Sequence, residues 1–275
     1  MNKFSRFFLE TYGKSTRTTA KVLCNKLVYA SNRFVGRDLP VGRLRARWHW
    51  YRYPFSLRKE ILWSSPLQAW FSPEDESATE CMLHMENYEP VAWVAPKKGD
   101  IFLDVGGYVG WYSIQAAKAV GPAGKVIVLE PDEINRLQLE RNLGLNDIRN
   151  VQVLSKAVWS FSGTVNWSHG TEPVWHQVGQ AQTGDFREAV SIDDLVQTLG
   201  LTQLDWVKLD IEGAEIEAIE GAHKTLNTLR PILFIEVHKT REHLGSMLKE
   251  IGYSVEREQY DELPDMHGWI LARAS

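Results

Sequence analysis

The feature that most constrains the fold is an alternation of short apolar segments with helix-like segments from residue 99 onward. Five apolar segments have the length and composition of buried strands: 101–105, 125–130, 151–154, 205–210 and 231–238. Helical periodicity fills the intervals, at 111–120, 133–143, 192–199, 214–229 and 241–251. This alternation predicts right-handed β-α-β units and an α/β fold with a mainly parallel sheet. Segments 253–256 and 269–272 predict a closing antiparallel pair at one edge.

The charge distribution sets the first part of the chain apart from the rest. Residues 1–59 contain 14 lysines and arginines against two acids, a net charge of +12. The remainder holds 17 basic and 33 acidic residues, a net charge of −16. Such a split indicates parts with different roles. We therefore predict a basic, aromatic-rich helical extension over residues 1–75 and an α/β domain over residues 76–275.

Two interpretations of the extension remain open. It is either a lid that packs over a cleft, or an arm that binds an anionic membrane through residues 1–59, because basic amphipathic segments with aromatic residues lie at membrane interfaces. Nucleic acid is the weaker third partner, since no nucleic-acid-binding motif accompanies the charge. The two cysteines and the lack of an apolar run long enough to span a bilayer predict a cytoplasmic protein, peripheral to the membrane if the arm docks.

A glycine-rich loop, Asp104-Val-Gly-Gly-Tyr-Val-Gly110, follows the first predicted strand of the α/β part. Glycine allows a sharp turn and a close approach to a ligand, and ligands of open α/β sheets bind at the carboxyl ends of the strands. The next strand ends in Glu130, which can accept both hydroxyls of a ribose. The glycine spacing does not match the pattern of nicotinamide dinucleotide sites. A glycine turn without a ligand is the alternative interpretation.

Two later strands end in polar residues at the same edge of the predicted sheet. Asp210 ends segment 205–210, and Glu236 and His238 end segment 231–238. An acid in a cleft costs desolvation unless it is used, so Asp210 indicates a function. Glu215, at the start of the following helix, is explained equally well by the helix dipole.

The motifs occur together in a fixed order over about residues 99–238. They are the runs at 102–113, 124–131, 142–146, 191–195, 208–215, 220–222 and 235–238. A sequence that has these runs in this order resembles the FkbM-type methyltransferases. One departure is that the family usually has Ala-Asn where this chain has Gly107 and Tyr108.

The resemblance implies a Rossmann-like, seven-stranded methyltransferase sheet with an antiparallel last strand, and S-adenosylmethionine (SAM) as the cofactor. The adenine is expected near Ser155, Lys156 and Ala157, and Tyr108 is expected to change how the methionine end is held. The full set of expected SAM-binding residues is Asp104, Gly106, Gly107, Tyr108, Gly110, Glu130, Pro131, Lys156, Ala157 and Asp210.

The resemblance also implies O-methylation of a small-molecule, glycan or lipid-linked acceptor. An alcohol is a poor nucleophile until it loses its proton, so Asp210, Glu236 and His238 are the expected catalytic residues. The same three side chains are alternatively ligands of a divalent cation that polarises the acceptor oxygen. N-methylation of a peptide or small molecule stays open, as does a SAM-binding or membrane-docking module without catalysis. Four aromatic and histidine residues of the insertion 159–187 are predicted to form an acceptor wall or to pack internally: Trp167, His169, Trp175 and His176.

Overall fold

The computed structural model describes residues 16, 18–24, 27, 57–64, 67–75, 77–79, 89–168, 177–178, 185–260 and 267–275. The chain divides into two compact units, Met1–His84 and Met85–Ser275. The boundary predicted at residue 75 stays a prediction. Within the described residues, no helix is both long and apolar enough to cross a bilayer.

The described part of the first unit contains a helical segment and a short hairpin. Residues 18–24 are helical, and strands β1 (Leu62–Ser64) and β2 (Ala69–Phe71) pair in antiparallel fashion. Thr18 Oγ1 donates to a carboxylate oxygen of Glu60 at 3.0 Å, which links the helical segment to the residues before β1. Most of residues 1–59 lie outside the described residues. The lid and membrane interpretations therefore both stay predictions.

The second unit carries two sheets. Its strands are β3 (Ile101–Val105), β4 (Lys125–Leu129), β5 (Val151–Leu154), β6 (Ala157–Val158), β7 (Gly163–Ser168), β8 (Gln177–Val178), β9 (Phe186–Val190), β10 (Trp206–Leu209), β11 (Ile232–Val237), β12 (Tyr253–Tyr260) and β13 (Gly268–Ala274). Seven of them form the main sheet, in the order β12-β13-β11-β10-β3-β4-β5. The five neighbouring strands β11-β10-β3-β4-β5 of this sheet are parallel. Strand β13 is antiparallel to both β11 and β12. The predicted α/β fold with an antiparallel edge is confirmed.

The helices of this unit are α1 (Trp111–Val120), α2 (Glu133–Leu145), α3 (Ile192–Thr198), α4 (Glu215–Glu220), α5 (His223–Thr228) and α6 (Arg241–Glu250). The single helix predicted over residues 214–229 is wrong, because the chain breaks at Gly221 between α4 and α5. A Cβ atom on Gly221 would lie 2.4 Å from the carbonyl oxygen of Trp159. The Asp193 carboxylate accepts from the backbone N–H groups of Lys224 and Thr225, and so gives α5 its own N-terminal cap.

The insertion 159–187 contributes to a smaller sheet, in the order β6-β9-β7-β8. Trp167 lies on β7 with 4% of its surface exposed, and the Arg187 guanidinium lies 5.7 Å from its ring centroid. Trp167 therefore packs internally, which is the second of the two roles predicted for it. The other aromatic and histidine residues expected in that wall, at positions 169, 175 and 176, lie outside the described residues.

The order of strands in the main sheet reverses direction between β3 and β10. These neighbouring strands are both buried, and the connections that follow them lead to opposite edges of the sheet: β3 continues to β4 and β10 continues to β11. Such a topological switch point is where open α/β sheets bind ligands, at the carboxyl ends of the strands. The glycine-rich loop and Asp210 both follow strands at this point.

Candidate active site

The glycine-rich loop makes the sharp turn that the sequence predicts. Gly106 has φ +80°, and Gly110 has φ +89° immediately before α1. A Cβ atom on Gly106 would lie 1.9 Å from the carbonyl oxygen of Asp210. Glycine at this position thus lets the ends of β3 and β10 approach each other. Gly107 is also required by packing, since its Cβ atom would lie 2.2 Å from Val128 Cγ1.

A buried lysine holds the loop to β10. Lys208 is 2% exposed, and its Nζ atom donates to the carbonyl oxygen of Gly106 at 2.7 Å. The same Nζ atom lies 3.4 Å from Asp104 Oδ1 and 3.3 Å from Asp210 Oδ2. Burial opposes the charge of Lys208, but the two carboxylates outweigh it and raise its pKa.

Asp104 lies beneath the loop. It is fully buried, and Ser113 Oγ donates to its Oδ2 atom at 2.5 Å. Burial raises the pKa of Asp104, although Lys208 and Ser113 favour the charged form. Asp104 therefore supports the loop, and its predicted contact with SAM stays a prediction.

Glu130 lies directly after β4, where the sequence places a ribose-binding acid. It is 5% exposed; its Oε2 accepts from the Tyr108 backbone N–H at 2.7 Å and its Oε1 from that of Asp132 at 3.0 Å. Burial raises the pKa of Glu130 to about 7, against the effect of these two hydrogen bonds. A carboxylate has about four acceptor positions, so Glu130 keeps capacity for the two hydroxyls of a ribose.

The remaining predicted cofactor residues lie around the ends of β4 and β5. Pro131 is half-buried after Glu130, and Tyr108 has a positive φ of 43° in the loop. Lys156 forms an ion pair with Glu188, and Ala157 is buried in β6 of the smaller sheet. Contacts of these residues with SAM stay predictions.

A second cluster lies at the carboxyl ends of β10 and β11 and surrounds His238. The Nδ1 atom of His238 lies 2.9 Å from Glu215 Oε1, and its Nε2 atom lies 3.4 Å from Glu212 Oε2 and 3.7 Å from Glu236 Oε2. Burial opposes the imidazolium form, but the three acids Glu215, Glu212 and Asp210 raise the pKa of His238. A neutral His238, as expected for a general base, thus requires a higher pH than for an ordinary histidine.

Asp210 and Glu236 are hydrogen-bonded to each other within this cluster. Burial alone would raise the pKa of Asp210, but Lys208 and a hydrogen bond from Glu236 lower it to about 2. Burial and the neighbouring Asp210 charge raise the pKa of Glu236 well above its ordinary value. The sequence correctly predicts that Asp210, Glu236 and His238 come together.

Glu215 lies at the start of α4 and also contacts His238. Its Oε1 atom accepts from the Gly213 backbone N–H at 2.9 Å just before α4, and also contacts His238. It is fully buried. The position at the start of a helix is thus confirmed, and a functional role of Glu215 stays a prediction.

The sequence prediction missed His267, Lys208 and a buried pair formed by Glu89 and Tyr112. His267 Nε2 contacts Glu236 Oε1, because Val237 pairs with Gly268 and so places His267 opposite His238. A lysine inside the buried segment 206–209 is itself a signal, since lysine is rarely buried without a partner.

The buried pair consists of Tyr112 and Glu89, and Tyr112 Oη donates to Glu89 at 2.7 Å. Burial, and to a lesser extent the Asp210 charge, raises the pKa of Glu89 to about 8.

The glycine-rich loop with Glu130 and the cluster around His238 offer different chemical groups. The loop with Glu130 offers backbone and carboxylate groups to a nucleoside-containing cofactor. Asp210, Glu236 and His238 offer a proton acceptor or metal ligands one strand further along the same edge. Adjacent cofactor and acceptor regions are what a group transfer requires.

Comparison with known proteins identifies the family. Residues 104–264 match the family described as the methyltransferase FkbM domain. The methyltransferase sdnD of Sordaria araneosa is 24% identical over 208 residues, which cover 62% of this chain and 80% of that protein.

Solved methyltransferase structures match a similar share of the chain. The FkbM methyltransferase of Methylobacillus flagellatus KT is 18% identical with a TM-score of 0.49, over 66% of this chain and 46% of that one. The chain thus spans less than half the length of that protein. Aeropyrum pernix fibrillarin, solved with natively bound SAM, is 13% identical with a TM-score of 0.44, over 65% of this chain and 68% of that one.

The family match covers more than half of the chain, and it contains the glycine-rich loop, Glu130, Asp210, Glu236 and His238. The resemblance predicted from the motifs is confirmed. The chain therefore belongs to the FkbM family of SAM-dependent methyltransferases.

Proposed function

We propose that this enzyme transfers the methyl group of SAM to a hydroxyl group, and that the hydroxyl lies beside Asp210, Glu236 and His238. The position of Asp210 supports this proposal. Its carboxylate lies 3.3 Å from Lys208, which holds the glycine-rich loop, and it also hydrogen-bonds Glu236 in the second cluster. Asp210 is thus the residue common to the cofactor region and the acidic cluster.

The residues of the loop fit SAM. Glu130 is a buried carboxylate with acceptor positions left for the ribose hydroxyls. Gly106, Gly110 and Tyr108 bring backbone to the cleft where the methionine end would lie. SAM supplies a methyl group on a positively charged sulfur, which suits a cleft lined by acids.

The acidic cluster favours a hydroxyl acceptor over an amine. Carboxylates near a basic amine stabilise its protonated form, which has no lone pair for attack. A hydroxyl remains uncharged in the same surroundings, and it can donate its hydrogen to a carboxylate while its oxygen lone pair faces the methyl group. We therefore assign Asp210 to orient the hydroxyl, and the cluster of Asp210, Glu236 and His238 to take up the released proton.

The acceptor class proposed is a small-molecule hydroxyl, carried by a sugar, a secondary metabolite or a lipid-linked glycan. An alcohol must lose its proton during attack, and removal of the proton acceptor typically lowers the rate by about 100- to 10,000-fold. Asp210→Asn keeps the size of the side chain and removes its charge. It is expected to keep SAM affinity and to lose turnover by that factor.

The experiment uses SAM labelled in its methyl group with a fractionated cell extract that separates lipids, glycans, small molecules and peptides. The labelled fraction identifies the acceptor, and the position of the label shows whether oxygen or nitrogen carries it. The matched control is Asp147→Asn, at a surface acid that is 88% exposed. Label on nitrogen, or wild-type turnover by Asp210→Asn, would rule out the proposal.

A further inference from the structure

We propose that Glu236, His238 and His267 form a binding site for a divalent transition-metal ion. The site deepens the proposed function, on which its catalytic role rests, because an ion there would lie beside the acceptor hydroxyl and polarise its oxygen. His267 was not among the predicted metal ligands, and it directly precedes β13.

The ligand atoms of the three side chains converge. One donor atom from each lies within 4.8 Å of the others, so that small side-chain rotations would place all three around a common ion. Glu236 contacts His267 through Oε1 and lies 3.7 Å from His238 Nε2 through Oε2. The two imidazole rings are 5.6 Å apart between centroids. Two strands position them, since β11 carries Glu236 and leads to His238, and His267 leads into β13.

The hydrogen bonding of His238 leaves a lone pair pointing into the cluster. Its Nδ1 atom lies 2.9 Å from Glu215 Oε1, a carboxylate that accepts a hydrogen from Nδ1. In the neutral ring, Nε2 then carries the lone pair, and it faces carboxylate oxygens of Glu212 at 3.4 Å and Glu236 at 3.7 Å. Acceptors that face one another require a positive charge between them, which is either a proton or a metal ion.

Glu215 provides the outer support that metal-binding histidines have. A metal-ligating histidine almost always donates its other N–H to a carboxylate or carbonyl, which fixes the ring orientation. Glu215 is fully buried and is itself held by the Gly213 backbone N–H at 2.9 Å and by Thr240 Oγ1 at 3.5 Å. A rigid, buried acceptor on Nδ1 is a feature that a surface histidine pair does not need.

The ligand types select the kind of ion. Two imidazoles and one carboxylate suit Zn²⁺, Fe²⁺ or Co²⁺, whereas Mg²⁺ and Ca²⁺ prefer oxygen ligands throughout. His267 has 36% of its side chain exposed and His238 has 18%, so the site is open on one side to an acceptor oxygen. An open coordination position is the feature of a catalytic rather than a structural zinc site.

The test measures metal binding to the full chain, free of SAM and acceptor. Protein dialysed against chelator is titrated with Zn²⁺ by calorimetry and with Co²⁺ by visible absorption. Wild-type protein is expected to bind one equivalent of either ion and to ignore Mg²⁺ at the same concentration. His267→Ala is expected to weaken binding more than about 100-fold, and Glu215→Gln by about 10- to 100-fold. The matched control, His243→Ala on the exposed surface of α6, is expected to bind as wild type.

Wild-type protein that takes up no Zn²⁺ or Co²⁺ would overturn the metal site, as would equal affinity in His267→Ala. The wild-type titration decides the matter even if a variant fails to fold. Methyl transfer is measured separately with and without chelator. Transfer that persists in chelator but is lost in Asp210→Asn would exclude a catalytic role of the metal ion, and it would leave the proposed function standing. Metal binding without any methyl transfer to an oxygen acceptor would support the metal site and contradict the proposed function.

Discussion

The ammonium group of Lys208 donates a hydrogen bond to the carbonyl oxygen of Gly106 at 2.7 Å, and it thereby ties β10 to the glycine-rich loop after β3. The same group lies between the carboxylates of Asp104 and Asp210. One buried cation thus fixes both the loop and the acid that links it to the second cluster.

Lys208→Met is therefore expected to lower the free energy of unfolding by about 3 to 5 kcal/mol, because it leaves the buried Asp104 without its positively charged partner. Urea unfolding measures the effect. Lys249→Met, at an exposed position on α6, is the control and is expected to change stability by less than about 0.5 kcal/mol. A double variant with Asp104→Asn should recover part of the loss. A Lys208→Met protein as stable as wild type would contradict the role given to this lysine.

A second prediction separates backbone strain from crowding at two glycines. Gly99 and Gly106 both have positive φ, at +89° and +80°, but a Cβ atom on Gly99 meets nothing within 4 Å. Gly99→Ala should thus cost only the left-handed backbone, about 1 to 2 kcal/mol. Gly106→Ala must also move the Asp210 carbonyl oxygen and is expected to cost at least about 2 kcal/mol more. Equal losses in the two unfolding curves would show that the close approach of β3 and β10 is unimportant.

The order of strands and helices could be predicted because hydrophobic periodicity is local. Segment 125–130 and helix 111–120 need no tertiary information, and the acid at position 130 follows from its place after a strand. The break at Gly221 could not be predicted, because it depends on Trp159 and Asp193, which are distant in sequence. Local helix propensity continues through that position, and tertiary contacts override it.

The stability of the protein is expected to depend on pH through Glu130. Burial raises the pKa of this carboxyl in the folded protein from an ordinary value of 4.5 to about 7. Between those two pH values the folded protein binds a proton that the unfolded chain releases, so the stability falls as pH rises. The contribution lost is up to about 3 kcal/mol.

Glu130→Gln has no such titration. Its unfolding free energy relative to wild type is therefore expected to rise by up to about 3 kcal/mol between pH 5 and pH 8, as measured by urea unfolding at both values. Glu133→Gln, an exposed acid on α2, should show no such trend. A difference between Glu130→Gln and wild type that does not change with pH would contradict the raised pKa of Glu130.

A fourth prediction concerns the basic residues 1–59. Their net charge of +12 leads us to expect sedimentation with vesicles that contain acidic lipid, and less sedimentation as salt is added. Replacing Arg43, Arg45 and Arg47 with glutamate should weaken it. Equal sedimentation with neutral and acidic vesicles, or none with either, would leave the lid as the remaining interpretation.

The site was predicted in outline because strand ends meet at one edge of a parallel sheet, which brings Asp210, Glu236 and His238 together. The contribution of His267 depends on the register of β13 against β11, and an antiparallel edge strand can shift its register without changing its composition. The direction of the His238 pKa could not be predicted either. It depends on Glu212 and Glu215, whose side chains the sequence assigns to the start of a helix rather than to the cleft.

Binding of SAM at Glu130 is tested by a calorimetric titration of SAM into the wild-type protein, Glu130→Gln and Glu133→Gln. If SAM binds across the glycine-rich loop with its ribose on Glu130, the wild type and Glu133→Gln will bind it equally. Glu130→Gln, which stays folded, will lose about 1 to 3 kcal/mol of binding free energy, or roughly 5- to 150-fold in affinity. Unchanged SAM affinity in folded Glu130→Gln would show that the ribose of SAM does not bind Glu130.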